Sequence, residues 1–221
     1  MIPAAEALDR LRAGNARFVA QTRRSLEHTS ETRRAQVAES QEPFAIIHGC
    51  SDSRVPAELI FDQGLGDLFV IRVAGNIVAA SQIGSIEFAA ERFHTRLVVV
   101  LGHTQCGAIG ATLQELQQES GSRSRNLQFI VDRVRPSVEP LLATDLRNDQ
   151  AALTREAVRA NIRASVDQLR HGSEILENLI QQNGLAIVGA EYSLETGEVE
   201  FFDLTPSEDR LPADGPLTAP G

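Results

Sequence analysis

The chain has 221 residues, 42% of them apolar, which suits one domain with a substantial buried core. Its formal net charge is −9 and its pI about 5.1, and all 21 basic residues are Arg, scattered among 30 acids, so no nucleic-acid-binding face is expected. No apolar run approaches the roughly 20 residues of a membrane span, and the amphipathic start, MIPAAEALDRLRAGNARF, has no signal-peptide core.

In chain order, Ala5, Leu8, Leu11, Ala16, Phe18 and Val19 fall near one helical face and predict an amphipathic helix over 5–20. A second short helix over 31–40, closed by Pro43, completes a helical arm over 1–40. The run FAIIHG (44–49) reads as a buried strand, and 56–61 as a short helix. LFVIRVA (68–74) reads as a second strand, 82–93 as a helix, and RLVVVL (96–101) as the strongest strand. A helix over 107–118 and a polar loop over 119–125 follow. Helices are expected over 127–142, interrupted by Pro136 and Pro140, and over 151–182, stopped by Gly184. LAIVGAE (185–191) reads as a strand. The turn Glu195-Thr-Gly-Glu lets a strand over 198–204 pair back antiparallel, and 205–221 read as a loose tail.

This alternation predicts an α/β fold in a single domain over 1–204. Its centre is a mostly parallel β-sheet, four parallel strands plus an antiparallel edge strand, flanked by helices. Ligands in such sheets bind beyond the carboxyl ends of strands, where strand order reverses. Both cysteines fall at such ends: Cys50 in Cys-Ser-Asp-Ser-Arg54, and Cys106 in Gly102-His-Thr-Gln-Cys-Gly107. The expected setting is the cytoplasm, where two cysteines more readily bind metal or react than form a disulfide.

Alone, a cysteine at a strand end is a small buried hydrophobe. Alone, Asp52 and Arg54 are a surface pair worth little. Together, Cys50, His103 and Cys106 form a Cys₂His set whose soft donors favour Zn²⁺ over Mg²⁺ or Ca²⁺. Three protein ligands leave a fourth position, and a water held there has its pKa lowered to near 7. Asp52 competes for that position. Paired bidentately with Arg54 it stays ionised and off the metal; unpaired, it becomes a fourth ligand. His28, His94 and His171 read as exposed or turn residues, and His48 as a satisfied core histidine before a proton relay.

With these motifs about fifty residues apart, the sequence resembles a β-class carbonic anhydrase, most clearly over 40–118. The resemblance implies one zinc per chain on Cys50, His103 and Cys106, with Asp52 and Arg54 as the catalytic dyad. It implies reversible hydration of CO₂ to bicarbonate and a proton, with hydroxide on the zinc as nucleophile. Gln41 matches a residue that binds substrate across the dimer interface, and Phe69 one that lines the pocket. Phe88 stands where many plant-like members carry Tyr, and the Gly107 N–H matches a donor to bicarbonate. A homodimer or dimer of dimers is implied, with the N-terminal helix wrapping the partner. Arg72 and Tyr192 match two members of a non-catalytic bicarbonate site found in some members. Ile47 replaces its Trp, so that site is expected to be incomplete. Three rivals stay open: hydrolysis of CS₂ or COS by the same fold, a structural or sensory zinc protein, and a reactive-cysteine enzyme.

Overall fold

The computed structural model describes residues 2–23, 30–117 and 124–202. The expected tail over 205–221, His28 and most of the 119–125 loop lie outside them. A five-stranded sheet forms the centre: β1 (Ala45–Gly49), β2 (Leu68–Arg72), β3 (Leu97–His103), β4 (Ala186–Tyr192) and β5 (Val199–Phe202). Its order is β2-β1-β3-β4-β5, parallel throughout except for β4 against β5. The continuous apolar runs of β1 and β3 are explained by burial of every residue in both strands. Strand order reverses between β1 and β3, which opens a crevice where the two carboxyl ends lie side by side.

Side chains alternate between two core layers. Ile46, Val98 and Val100 face a layer built from α4 (Ala80–Arg92), α5 (Gly107–Gln117), α6 (Arg125–Val138), α7 (Gln150–His171) and α8 (Glu174–Asn183). Ala45, Ile47, Leu97, Val99 and Leu101 face α1 (Ala4–Val19) and α3 (Ala57–Ile60). The remaining helix, α2 (Glu31–Gln36), buries nothing and starts at Ser30, whose hydroxyl accepts the Arg33 N–H. Among the described residues, no helix is long and apolar enough to cross a membrane.

The structure corrects two expectations and adds to a third. The helix expected over 151–182 is two helices, broken at Gly172 and Ser173. The Ser173 hydroxyl accepts the Leu176 N–H and starts α8, so Gly-Ser was a stop followed by a cap. Pro136 does not interrupt α6: it sits in the last turn, and the helix runs to Val138 before a 3₁₀ turn beginning near Pro140. Part of the apolar face of α1 is used within its own chain, while Ala16 and Val19 stay exposed. Ala7, Leu8 and Leu11 are buried on the chain's own sheet.

That docking is locked by two residues with no place in an apolar stripe. A Cβ at Gly14 would lie 1.8 Å from the Phe61 carbonyl oxygen, so only glycine lets the helix approach so closely. Buried Asn15 donates to the Ile60 and Gly197 carbonyls and accepts the Val199 N–H, tying α1 to α3 and to the β4–β5 hairpin. Gly14→Ala is expected to destabilise the fold by about 3 kcal/mol, the upper end of overpacking costs, measured by urea unfolding.

Candidate metal centre

The crevice brings together residues 53 positions apart in the chain. Cys50 follows β1, His103 is the last residue of β3, and Cys106 lies at the start of α5. One donor atom from each lies within 4.8 Å of the others, and the two sulfurs are 3.9 Å apart. All three side chains are buried. The His103 Nδ1–H donates to the Thr104 carbonyl at 2.9 Å, which leaves Nε2 as a lone pair. Nε2 is buried and has no hydrogen-bond partner among the described residues. Two thiols and an unpartnered imidazole lone pair at this spacing could hold a soft divalent metal ion.

The thiols do not ionise alike. The hydrogen bond between the two sulfurs, helped by the Gly75 N–H, pulls the Cys50 thiol down to about 4 against the cost of burial. The same Cys50 sulfur, together with burial, pushes Cys106 up.

Asp52 stands at the rim, paired rather than ligating. Arg54 Nε donates to Oδ1 at 2.9 Å and Nη2 to Oδ2 at 2.8 Å, and the Arg54 N–H donates to Oδ1 at 3.0 Å. Arg54 therefore holds the Asp52 carboxyl well below the usual carboxylate range. The free edge of Asp52 Oδ2 lies 3.7 Å from His103 Nε2, beside the donor cluster. Arg72 fixes this loop from behind, donating from Nε to the Cys50 carbonyl and from Nη2 to the Asp52 carbonyl. Gly107 opens α5, so its N–H is one of the first-turn donors that no helical carbonyl can reach, and a Cβ there would meet nothing within 4 Å.

Other expected site residues lie elsewhere in the chain. Gln41 precedes β1, at the opposite end of a strand about 16 Å long, in a cleft with Arg10, Phe44, Arg92 and His94. Phe69 pairs in register with Ile46, about 13 Å before Cys50. It joins Phe88 and Phe93 in an aromatic cluster beside the edge strand β2, where Phe88 is 54% exposed. Arg72 and Tyr192 stand three strand spacings apart, about 14 Å between backbones, Ile47 is buried, and the Arg72 guanidinium is bonded to the Cys50 and Asp52 carbonyls. His48 is fully buried and its Nε2–H donates to the Asn76 and Ile77 carbonyls, both at 3.0 Å, the bonding of a core histidine. His171 is exposed, and His94 occupies a left-handed turn.

Sequence reasoning missed the turn Ala74–Asn76, whose Gly75 N–H donates to the Cys50 sulfur at 3.3 Å. A Gly-Asn pair directly after a strand was the available signal.

Residues 45–199 match the protein-family model described as carbonic anhydrase. The chain belongs to that family. It is 41% identical over 195 residues to the carbonic anhydrase of Mycolicibacterium smegmatis, covering 86% of this chain and 89% of the relative. It is 40% identical over 197 residues to carbonic anhydrase 2 of Mycobacterium tuberculosis, covering 87% and 90%. Among solved structures it resembles the β-carbonic anhydrase CafA of Aspergillus fumigatus, with TM-score 0.72, 27% identity and coverage of 89% and 91%. The chain is thus a β-class carbonic anhydrase, and its Cys–His–Cys cluster lies within the matched segment.

Metal-free enzyme should carry about one thiolate per chain at pH 7, because the hydrogen bond between sulfurs 3.9 Å apart lowers one thiol and, with burial, raises the other. Ultraviolet thiolate absorbance checks this: two thiolates, or none, would contradict the sharing of one proton between the sulfurs. Inhibition by bicarbonate should be weak and non-cooperative, since Ile47 offers no polar or aromatic group and Arg72 is spent on the Cys50 and Asp52 carbonyls; steep inhibition at low pH would contradict it.

Proposed function

We propose that Cys50, His103 and Cys106 hold one Zn²⁺ per chain, and that this centre with Asp52 and Arg54 carries out the reversible hydration of CO₂. The observation that carries this reading is the buried, unpartnered Nε2 of His103 facing two sulfurs. Leaving a buried lone pair unbonded costs about 1–3 kcal/mol unless something else occupies it. A zinc ion held by three such donors lowers the pKa of a bound water to near 7 and so supplies hydroxide at neutral pH.

Asp52 is kept ionised by Arg54 and can only accept hydrogen bonds. Its Oδ2 takes the proton of the attacking oxygen into a hydrogen bond and leaves a lone pair directed at carbon. Arg54 occupies both carboxylate oxygens and so keeps Asp52 from closing the site as a further ligand. The Gly107 N–H donates to an oxygen of the bicarbonate product, where a helix N-terminus favours negative charge.

Gln41, Phe69 and Phe88 cannot serve the centre of their own chain at these separations. They serve a partner's centre in a homodimer, or in a dimer of dimers. Supporting this, the aromatic cluster is exposed at an unpaired sheet edge. The small apolar pocket for CO₂ is completed by these rings across the interface. A cytoplasmic setting suits two thiols that must stay reduced.

Stopped-flow CO₂ hydration on protein of measured zinc content tests the reading. Activity that rises with pH, accompanies about one zinc per chain and disappears on chelation is expected. Asp52→Asn should keep its zinc and lose roughly 10- to 100-fold in kcat/KM. Full zinc with no CO₂ turnover, or wild-type turnover in Asp52→Asn, would overturn it. Sedimentation should show at least a dimer, and Phe88→Arg should weaken it.

A further inference from the structure

We infer that Asn161, with Ser165 one turn later on α7, is a positioning residue for the Cys50 sulfur and acts on it through the turn Ala74–Asn76. The inference rests on the proposed zinc site.

The turn directs the Gly75 N–H at Cys50 Sγ. It is not a shape the backbone prefers. Gly75 and Asn76 have φ of 69° and 42°, two consecutive residues in the left-handed region, and for Asn76 that conformation persists only when its surroundings impose it. They do so through three successive carbonyls. Asn161 Nδ2 donates to the Gly75 carbonyl at 2.8 Å, and the Ser165 hydroxyl donates to the Asn76 carbonyl at 3.0 Å. His48 Nε2–H donates to the Asn76 and Ile77 carbonyls from the opposite side.

Asn161 and Ser165 are spaced i, i+4, so they share one helical face, and both are buried beside Val158, Ile162 and Val166. An amide in such a place is costly unless bonded, and its bond here is spent on the turn behind Cys50. The same helix seats the other half of the site. Ile162 fills the space over Gly102, the residue before His103: a Cβ there would lie 2.5 Å from Ile162 Cδ1. One helix thus fixes the backbone behind both Cys50 and His103. An N–H donated to a thiolate draws charge from the sulfur and orients it, so loss of the Asn161 amide leaves a more electron-rich sulfur, read in the charge-transfer band, and costs the ligand orientation on which metal affinity depends.

Cobalt(II), added to metal-free full-length protein, reads the sulfurs through the sulfur-to-cobalt charge-transfer band, and chelator competition gives zinc affinity. Asn161→Leu removes the donor, Ser165→Ala removes the neighbouring one, and Val166→Ala loosens the same helix without touching the turn. Asn161→Leu is expected to move the band to lower energy and to weaken zinc binding roughly 10- to 100-fold. Ser165→Ala should move the band the same way by less, and Val166→Ala should leave band and affinity at wild-type values. A wild-type band in folded Asn161→Leu would overturn the inference, and so would an equal shift in Val166→Ala. If Asn161→Leu does not fold, Ser165→Ala decides: a shifted band supports the inference and an unshifted one overturns it. Wild-type protein that binds neither metal would be a separate result, overturning the zinc site and the inference with it.

Discussion

The structure turns on the meeting of three soft donors in a buried crevice. An apolar core gains nothing from two thiols and an imidazole lone pair within 4.8 Å of one another. The sheet nevertheless holds them there, because β1 and β3 are neighbours and the crossovers leaving them go to opposite sides. The rest of the fold keeps that junction rigid. α1 and α3 close one face of the sheet, and α4 to α8 close the other. Arg72 pins the Cys50–Asp52 backbone from the edge strand, and α7 pins the turn behind it.

Electrostatics then divides the work between neighbouring groups. Arg54 takes both oxygens of Asp52 and keeps it an acceptor. The two sulfurs lie 3.9 Å apart and hydrogen-bond to each other, so a metal ion bound there would displace a proton and its affinity would depend on pH. His48, nearby on β1, donates from Nε2 to two backbone carbonyls, while its buried Nδ1 has no hydrogen-bond partner among the described residues.

Much of this was legible in the chain. The runs FAIIHG and RLVVVL read as buried strands because parallel strands bury both faces, and the two cysteines fell shortly after those runs. The pairing of Asp52 with Arg54 was legible because residues two apart in a tight loop can meet without help from the fold. Other features were hidden. The break at Gly172 was masked by helical periodicity that continues through it. The use of α1 by its own chain depended on Gly14 and Asn15, whose contacts with Phe61, Ile60 and Gly197 are remote in sequence. Phe69 and Phe88 carry no mark in the sequence of the side of the molecule they occupy.

The sequence by itself determined the chemistry: the donor types, the acid with its local guanidinium, and the strand-helix alternation that places them at one sheet edge. These are local properties, set by side-chain identity and by periods of two and 3.6 residues. Only the tertiary structure decided which groups share a centre within one chain and which stand some 13 to 16 Å away. It also decided that Asn161 and Ser165, otherwise unremarkable polar residues in a long helix, reach the turn behind Cys50. Strand order, register and helix docking make those assignments, and they arise from contacts between residues far apart in the chain.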